Sequence, residues 1–258
     1  MGDQDDGVLA GRTIVVVGAS SGIGAATARA ALDAGARVAL VARRVERLDE
    51  IVAARQPAAR DRAATIACDV RDPSSVEAMA RAVDELGDAD AVLYATGVNH
   101  LGLLETTTSE QWRVLFETNV VGASLVTSAL LPALRSARAR ERAPRVGFLS
   151  SHSVPAPWSG LVAYAATKAA LETMVRGWRA EVPDVVFARI VIGPTMTPMA
   201  EGWDPGLAAE FFARWEREGN FVGVEPVTPD AVAVELVRWL AERAPAAEVV
   251  MPNADPHA

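Results

Sequence analysis

The hydrophobic pattern of the chain alternates between short β-branched runs and longer amphipathic stretches. Arg12 to Val17 (RTIVVV) is a continuous apolar run ending on Gly18, the pattern of a strand buried on both faces. A helical stretch from Gly22 to about Ala34 follows, then a strand from Arg37 to Val41. Val45 to Arg55 reads as a helix with Leu48, Ile51 and Val52 on one face, and Ala63 to Ala67 as a third strand. Asp72 and Pro73 supply a cap and a first-turn proline for a helix whose stripe is Val76, Met79, Ala80, Val83 and Leu86, and Gly87 ends it. Ala89 to Tyr94 is the fourth strand, and Thr107 with Glu110 resembles a capping box before a long helix through Trp112, Phe116 and Val120. Arg145 to Ser150, Val185 to Ile192 and Glu248 to Met251 continue the strands, with helices at Leu161 to about Ala180 and Val227 to Arg243.

Strict β/α alternation calls for right-handed crossovers, hence a parallel sheet of about seven strands with helices on both faces. The fold class expected is therefore α/β, one doubly wound domain over residues 12–258, preceded by a short solvated tail at 1–11. The departure from alternation is Pro198 to Pro226, long enough to form a lid.

Composition narrows the functions open to such a domain. Of 258 residues, 50% are hydrophobic and 22% charged, and the formal net charge is -8, the wrong sign for neutralising nucleic-acid phosphates or an anionic membrane. One cysteine, Cys68, excludes an internal disulfide, and His100, His152 and His257 are too dispersed to suggest a metal site. The first eleven residues lack the basic and apolar regions of a signal peptide, and the uncharged stretch Val146 to Thr167 is broken by prolines and glycines. A cytoplasmic protein without membrane or nucleic-acid partners is expected. All basic residues but one are arginine, which draws attention to Lys168.

Chemistry enters at Gly18-Ala19-Ser20-Ser21-Gly22-Ile23-Gly24, between the first strand and its helix. Such a turn offers free backbone N–H groups to a pyrophosphate. The same residues also spell the Gly-x-Ser-x-Gly of a hydrolase nucleophile elbow, with Ser20 as nucleophile. Against that reading, the turn follows the first strand, and the one histidine near the C-terminus is His257 in a tail. At the end of the second strand, where a dinucleotide site chooses its cofactor, stand Arg43 and Arg44 and no acid, which favours NADP(H) over NAD(H). One of the two arginines also reads as an ordinary helix-entry charge.

Tyr164 and Lys168 are four residues apart on a helical segment and share one face. A fixed ammonium would lower the phenol pKa and let Tyr164 exchange a proton with a substrate oxygen while hydride moves at the neighbouring carbon. Ser151 ends the fifth strand on the same sheet edge as the glycine turn, placed to polarise a carbonyl. Asn119, a poor interior helix former, suggests either a buried backbone-bonded amide or a proton or water relay toward Lys168.

Together these residues resemble the short-chain dehydrogenase/reductase family over nearly the whole chain: Gly18, Gly22, Ile23 and Gly24, Asp69 in Cys68-Asp69-Val70, then Asn119, Ser151, Tyr164 and Lys168. The resemblance implies a Rossmann-type fold. It further implies that Asp69 and Val70 contact adenine, Tyr164 is the acid/base, Ser151 orients the substrate oxygen, Lys168 holds the nicotinamide ribose and Asn119 places a relay water. Ser20 and Ser21 join the glycine turn as cofactor contacts, and Thr96 and Gly97 are expected to approach the cofactor. The chain also departs from the family. Val17 replaces a usual threonine, and Tyr94-Ala95-Thr96-Gly97 stands where Asn-Asn-Ala-Gly is common, so the asparagine bonds that brace the sheet are missing. Gly193-Pro194-Thr195-Met196-Thr197 differs from the usual Pro-Gly turn, leaving Pro194, Met196 and Thr197 to face the nicotinamide. A homodimer or homotetramer is implied by the resemblance alone, and the ending VVMPNADPHA departs from the family pattern.

Within 198–226, Leu207, Phe211, Phe212 and Trp215 recur at helical spacing, leaving Glu210, Arg214 and Glu216 for solvent. With Trp158, the residues Phe211, Phe212 and Trp215 would form a bulky apolar substrate pocket, although such a stripe also suits packing or a subunit contact. His152 reads as scaffold. The expected function is an NADP(H)-dependent oxidoreductase acting between a ketone and its secondary alcohol. The alternatives are a non-catalytic dinucleotide-binding protein on the same fold and, remotely, the serine hydrolase.

Overall fold

A computed structural model describes residues 7–139, 142–220 and 225–251. Its first half runs β1 (Thr13–Val17), α1 (Gly22–Asp33), β2 (Arg37–Ala42), α2 (Val45–Ala53), the single turn α3 (Pro57–Arg60), β3 (Ala63–Ala67), α4 (Pro73–Glu85) and β4 (Ala91–Tyr94). The second half has α5 (Ser109–Phe116), a π-helical turn (Glu117–Val121), α6 (Gly122–Ala139), β5 (Arg145–Ser151), α7 (Val162–Glu181), β6 (Val186–Ile192), α8 (Pro205–Arg217), α9 (Pro229–Ala241) and β7 (Glu248–Val250). Among the described residues the seven strands form one sheet in the order β3-β2-β1-β4-β5-β6-β7, every neighbouring pair parallel. Strand order reverses between β1 and β4, and such a switch point opens a crevice at the carboxyl ends of the strands.

Alternation along β1 divides the core into two layers. Ile14 and Val16 pack with Leu32 of α1, Leu48 of α2 and Leu236 of α9, while Val15 and Val17 pack with Met79 of α4, Leu130 of α6 and Val175 of α7. Full burial of each such side chain stabilises the fold by roughly 1.5–3 kcal/mol before chain entropy is counted. The stretch Ser109–Ala139 is long and apolar enough to cross a membrane by composition, but Val126, Leu130 and Leu134 spend that apolar face on the second core layer.

Three local expectations are corrected. Residues 7–11 are not a solvated tail: Leu9 is fully buried, its N–H donates to the Ala34 carbonyl at 2.9 Å, and the segment closes the end of α1; residues 1–6 lie outside the described residues. The capping box sits one residue later than expected. Thr108 Oγ1 accepts from the Gln111 N–H at 3.2 Å, and Gln111 Oε1 accepts from the Thr108 N–H at 2.7 Å. The long helix is not uniformly α either. Its π-helical turn turns Thr118 and Asn119 inward, and Phe116 is 37% exposed beside Trp112.

Candidate active site

The glycine turn is built by close approach. Gly18 has φ +94, and a Cβ there would lie 2.7 Å from the Thr96 amide nitrogen; a Cβ on Gly24 would lie 2.2 Å from the Gly18 carbonyl oxygen. Ser21 is the N-cap of α1 but its side chain makes no capping bond, and the first turn carries no acid. The leading N–H groups of α1 are thereby left without a side-chain acceptor, the donor set a diphosphate needs. Ile23 packs on the core behind the turn. A recess of about 270 Å³ beside it is lined by Ser20, Ser21 and Gly22 and by the ion pairs Arg29–Asp230 and Arg47–Glu50. These residues fit a dinucleotide.

Arg43 and Arg44 follow β2 and are exposed. Arg44 donates to Ser20 Oγ at 3.3 Å, which ties the end of β2 to the glycine turn and gives Ser20 an arginine rather than a histidine partner. Asp69 engages Arg71 through both carboxylate oxygens, at 3.0 and 2.7 Å, and these bonds hold its carboxyl down at about 2 against the opposing effect of burial. Val70 is buried against Gly122.

At the carboxyl end of β5 the Ser151 hydroxyl lies 2.8 Å from that of Ser153 and accepts from the Ser153 N–H at 3.1 Å. α7 brings Tyr164 back over the strand, close enough to Ser151 for the serine hydroxyl to act on the phenol. Burial pushes the Tyr164 phenol up to about 12, and Ser151 only partly opposes this. Lys168, one turn further along, is pushed down to about 8 by the same desolvation. Its Nζ donates to the Leu149 carbonyl at 2.7 Å and lies 5.6 Å from the centre of the Tyr164 ring. Burial, not Lys168, therefore sets the direction of the Tyr164 pKa here. The ammonium sits over the ring face with one of its three N–H groups on the Leu149 carbonyl, and burial of the phenol prevails.

Asn119 is fully buried at the π-helical turn. Its Nδ2 donates to the Val98 carbonyl and to Thr167 Oγ1, both at 2.9 Å, and its Oδ1 accepts from the Val98 N–H at 2.9 Å. Asn119 is thus a buried amide bonded to backbone, beside Lys168. A Cβ on Gly97 would lie 3.6 Å from both Asn119 Oδ1 and Lys168 Nζ, so the segment after β4 leads directly to this group. Sequence reasoning passed over Thr167 and Ser153; their signals were adjacency to Lys168 and a two-residue spacing from Ser151.

Segment 193–200 spans the crevice. Pro194 O accepts from the Val227 N–H at 3.1 Å and Met196 N–H donates to Val227 O at 2.9 Å, which anchors the segment at its outer side. Thr197 and Pro198 stand over Gly22, and Met199 over Gly97, while Met196 is 57% exposed. Thr96 and Gly97 thus face the same crevice as Thr197.

The aromatic stripe of α8 is narrower than expected. Phe211 and Trp215 are buried with Leu101, Trp158 and Leu207, whereas Phe212 is 46% exposed. Trp215 Nε1 donates to the Ser159 carbonyl at 2.7 Å, Trp158 and Trp215 lie 5.2 Å apart, and His152 meets Trp158 edge-on at 5.0 Å. Burial lowers the His152 pKa, against the opposing bond to the Ile192 carbonyl. The cluster therefore presses α8 onto the loop between Ser151 and Tyr164. Of the expected lid, 221–224 lie outside the described residues, as do His257 and the chain after Met251.

With this geometry established, comparison with known proteins is decisive. The family model described as short chain dehydrogenase matches residues 12–207. The chain belongs to the short-chain dehydrogenase/reductase family. It is an oxidoreductase of a family that works with nicotinamide dinucleotides on small molecules, and membership removes the serine hydrolase reading of Ser20. A 3-dehydrosphinganine reductase of Arabidopsis thaliana is 33% identical over 189 residues, covering 72% of this chain and 56% of that protein. Among solved structures, an alcohol dehydrogenase from the archaeon Thermococcus sibiricus, complexed with 5-hydroxy-NADP, superposes with TM-score 0.77 at 25% identity, covering 94% of this chain and 96% of that one. A short-chain dehydrogenase from Streptomyces avermitilis gives TM-score 0.75 at 31% identity, covering 93% and 88%.

Proposed function

We propose that this oxidoreductase is an NADP(H)-dependent ketoreductase, converting bulky apolar ketones to secondary alcohols. The observation that carries the reading is the convergence of Ser151, Tyr164 and Lys168 on one crevice, with Ser151 acting on the Tyr164 phenol and Lys168 Nζ 5.6 Å over its ring. A bound nicotinamide supplies the hydride or takes it back. Ser151 and Tyr164 hold the substrate oxygen between two hydroxyls. A phenol held up at about 12 keeps its proton at neutral pH, so Tyr164 is set to give that proton to the developing alkoxide. Lys168 keeps positive charge beside the reacting groups, and Asn119 locks Val98 and Thr167 around them.

Gly18, Ser20, Ser21, Gly22, Ile23 and Gly24 would hold the diphosphate, and Arg43 with Arg44 a 2′-phosphate, because guanidinium suits bidentate phosphate binding. Asp69 and Val70 stand on the adenine side, and Thr96, Gly97, Pro194, Met196 and Thr197 on the nicotinamide side. The apolar cluster of Trp158, Phe211 and Trp215, with Phe212 at its edge, supports an apolar substrate beneath 198–226 acting as a lid. A reductase relative agrees with this direction. We place the protein in the cytoplasm as a homodimer or homotetramer, the exposed Phe116 and Val121 offering an apolar contact face.

The test is turnover of a ketone panel with NADPH and with NADH. Oxidation of NADPH that is faster with aromatic or long-chain ketones than with small polar ones is the expected result; equal use of both cofactors, or preference for small polar ketones, overturns the respective half of the proposal.

A further inference from the structure

Where the family commonly carries an asparagine, this chain has Tyr94, and the structure shows what that residue does instead. Tyr94 ends β4, is 1% exposed, and donates its hydroxyl to the Thr118 carbonyl at 2.6 Å. Burial drives its pKa far above the usual phenol value, so the hydroxyl is a donor at every working pH. The acceptor is specific to the π-helical turn. In an α-helix the Gly122 N–H would bond Thr118 O, four residues back; here it bonds Glu117 O, five back, which frees Thr118 O for an outside donor. Asn119 is the next residue.

Room for this bond is built into the neighbours. A Cβ on Gly122 would fall 3.0 Å from Tyr94 Oη and 2.8 Å from Val70 Cγ2. The Tyr94 ring also tilts against Phe148 at 6.4 Å, three residues before Ser151 on β5. One side chain thus spans the π-helical turn, the strand that leads to Thr96 and Gly97, and the strand that carries Ser151.

We infer that Tyr94 is a positioning residue for catalysis, fixing the π-helical turn so that Asn119 is held on Val98 and Thr167 beside Lys168. The inference rests on the proposed ketoreductase reading for its catalytic consequence, but not for its structural one.

The experiment compares Tyr94→Phe, Asn119→Ala and the double variant with the full-length wild type. Removal of one hydroxyl leaves the ring in place, so amides of β1 are expected to keep their hydrogen-exchange protection. The Val98 amide, which donates to Asn119 Oδ1, is expected to exchange roughly tenfold faster in Tyr94→Phe. With NADPH and a ketone, kcat is expected to drop about tenfold with NADPH Kd and ketone KM held within about twofold, and Tyr94→Phe is expected to add nothing further in the Asn119→Ala background. Unchanged Val98 exchange, or losses that multiply in the double variant, would overturn the inference. A wild type that turns over no ketone overturns the proposed function instead, and Val98 exchange then still decides the role of Tyr94.

Discussion

Lys168 lies one helical turn beyond Tyr164 on α7, its Nζ 5.6 Å over the centre of the tyrosine ring. Burial acts on the two in opposite senses, lowering the lysine to about 8 and raising the tyrosine to about 12. Between neutral pH and about 8, therefore, the pair is a charged ammonium beside a protonated phenol. Ketone reduction is expected to hold steady up to about pH 8 and to fall above it as Lys168 loses its charge; alcohol oxidation, which needs Tyr164 to accept a proton, is expected to rise with pH. Initial rates in both directions from pH 6 to 10 check this, and a reduction rate flat to pH 10 would contradict it.

The same burial has a stability consequence. The folded-state pKa of Lys168 lies below its ordinary value of 10.5, so the charged form destabilises the folded state. That penalty is fully present below about pH 8 and is relieved as pH rises from about 8 toward 10.5. Lys168→Met is expected to remove activity yet to stabilise the fold by roughly 1–3 kcal/mol at pH 7, an advantage that shrinks by pH 10. Urea unfolding at both pH values measures it; a destabilised variant at pH 7 would show that the Leu149 hydrogen bond outweighs desolvation.

Arg44 meets Ser20 at 3.3 Å, and Arg43 stands exposed beside it. Replacing both by alanine is expected to raise the NADPH KM by roughly 10- to 100-fold and to leave the NADH KM nearly unchanged. Parallel titrations decide the matter, since an equal loss for both cofactors would mean that the arginines do not read a 2′-phosphate.

Gly160 has φ +79, and a Cβ there would lie 2.5 Å from the Phe211 ring. Gly160→Ala is expected to pry α8 from the loop before α7, raising KM for bulky ketones several-fold while sparing NADPH affinity. Faster proteolytic cleavage within α8 would accompany it. Unaltered KM for every ketone would detach this cluster from the substrate.

How far the sequence carried the reading depends on which physical signal was local. β3 is bounded by Ala63 and Ala67 as expected, and Asp72 caps α4 by accepting from the Ser74 N–H, because strand burial and capping are written in neighbouring residues. Ser151, Tyr164, Lys168 and Gly97 meet because parallel strands all end on one edge, a consequence of alternation alone. The π-helical turn at Asn119 was hidden: the Thr118 carbonyl it leaves exposed is taken by Tyr94 from across the fold, a tertiary bond that no period in the sequence records. Leu9 was misjudged for a similar reason, its burial depending on the end of α1 rather than on its acidic neighbours. The direction of the Tyr164 pKa was also out of reach, since desolvation is set by packing and only the pairing with Lys168 is visible in spacing.

The most direct test of the central claim is Tyr164→Phe, followed by NADPH fluorescence titration and by single-turnover reduction of an aromatic ketone. NADPH binding within roughly twofold of wild type, with turnover reduced at least 10²-fold, is the expected result. Turnover comparable to wild type would contradict the assignment of Tyr164 as proton donor and with it the proposed chemistry.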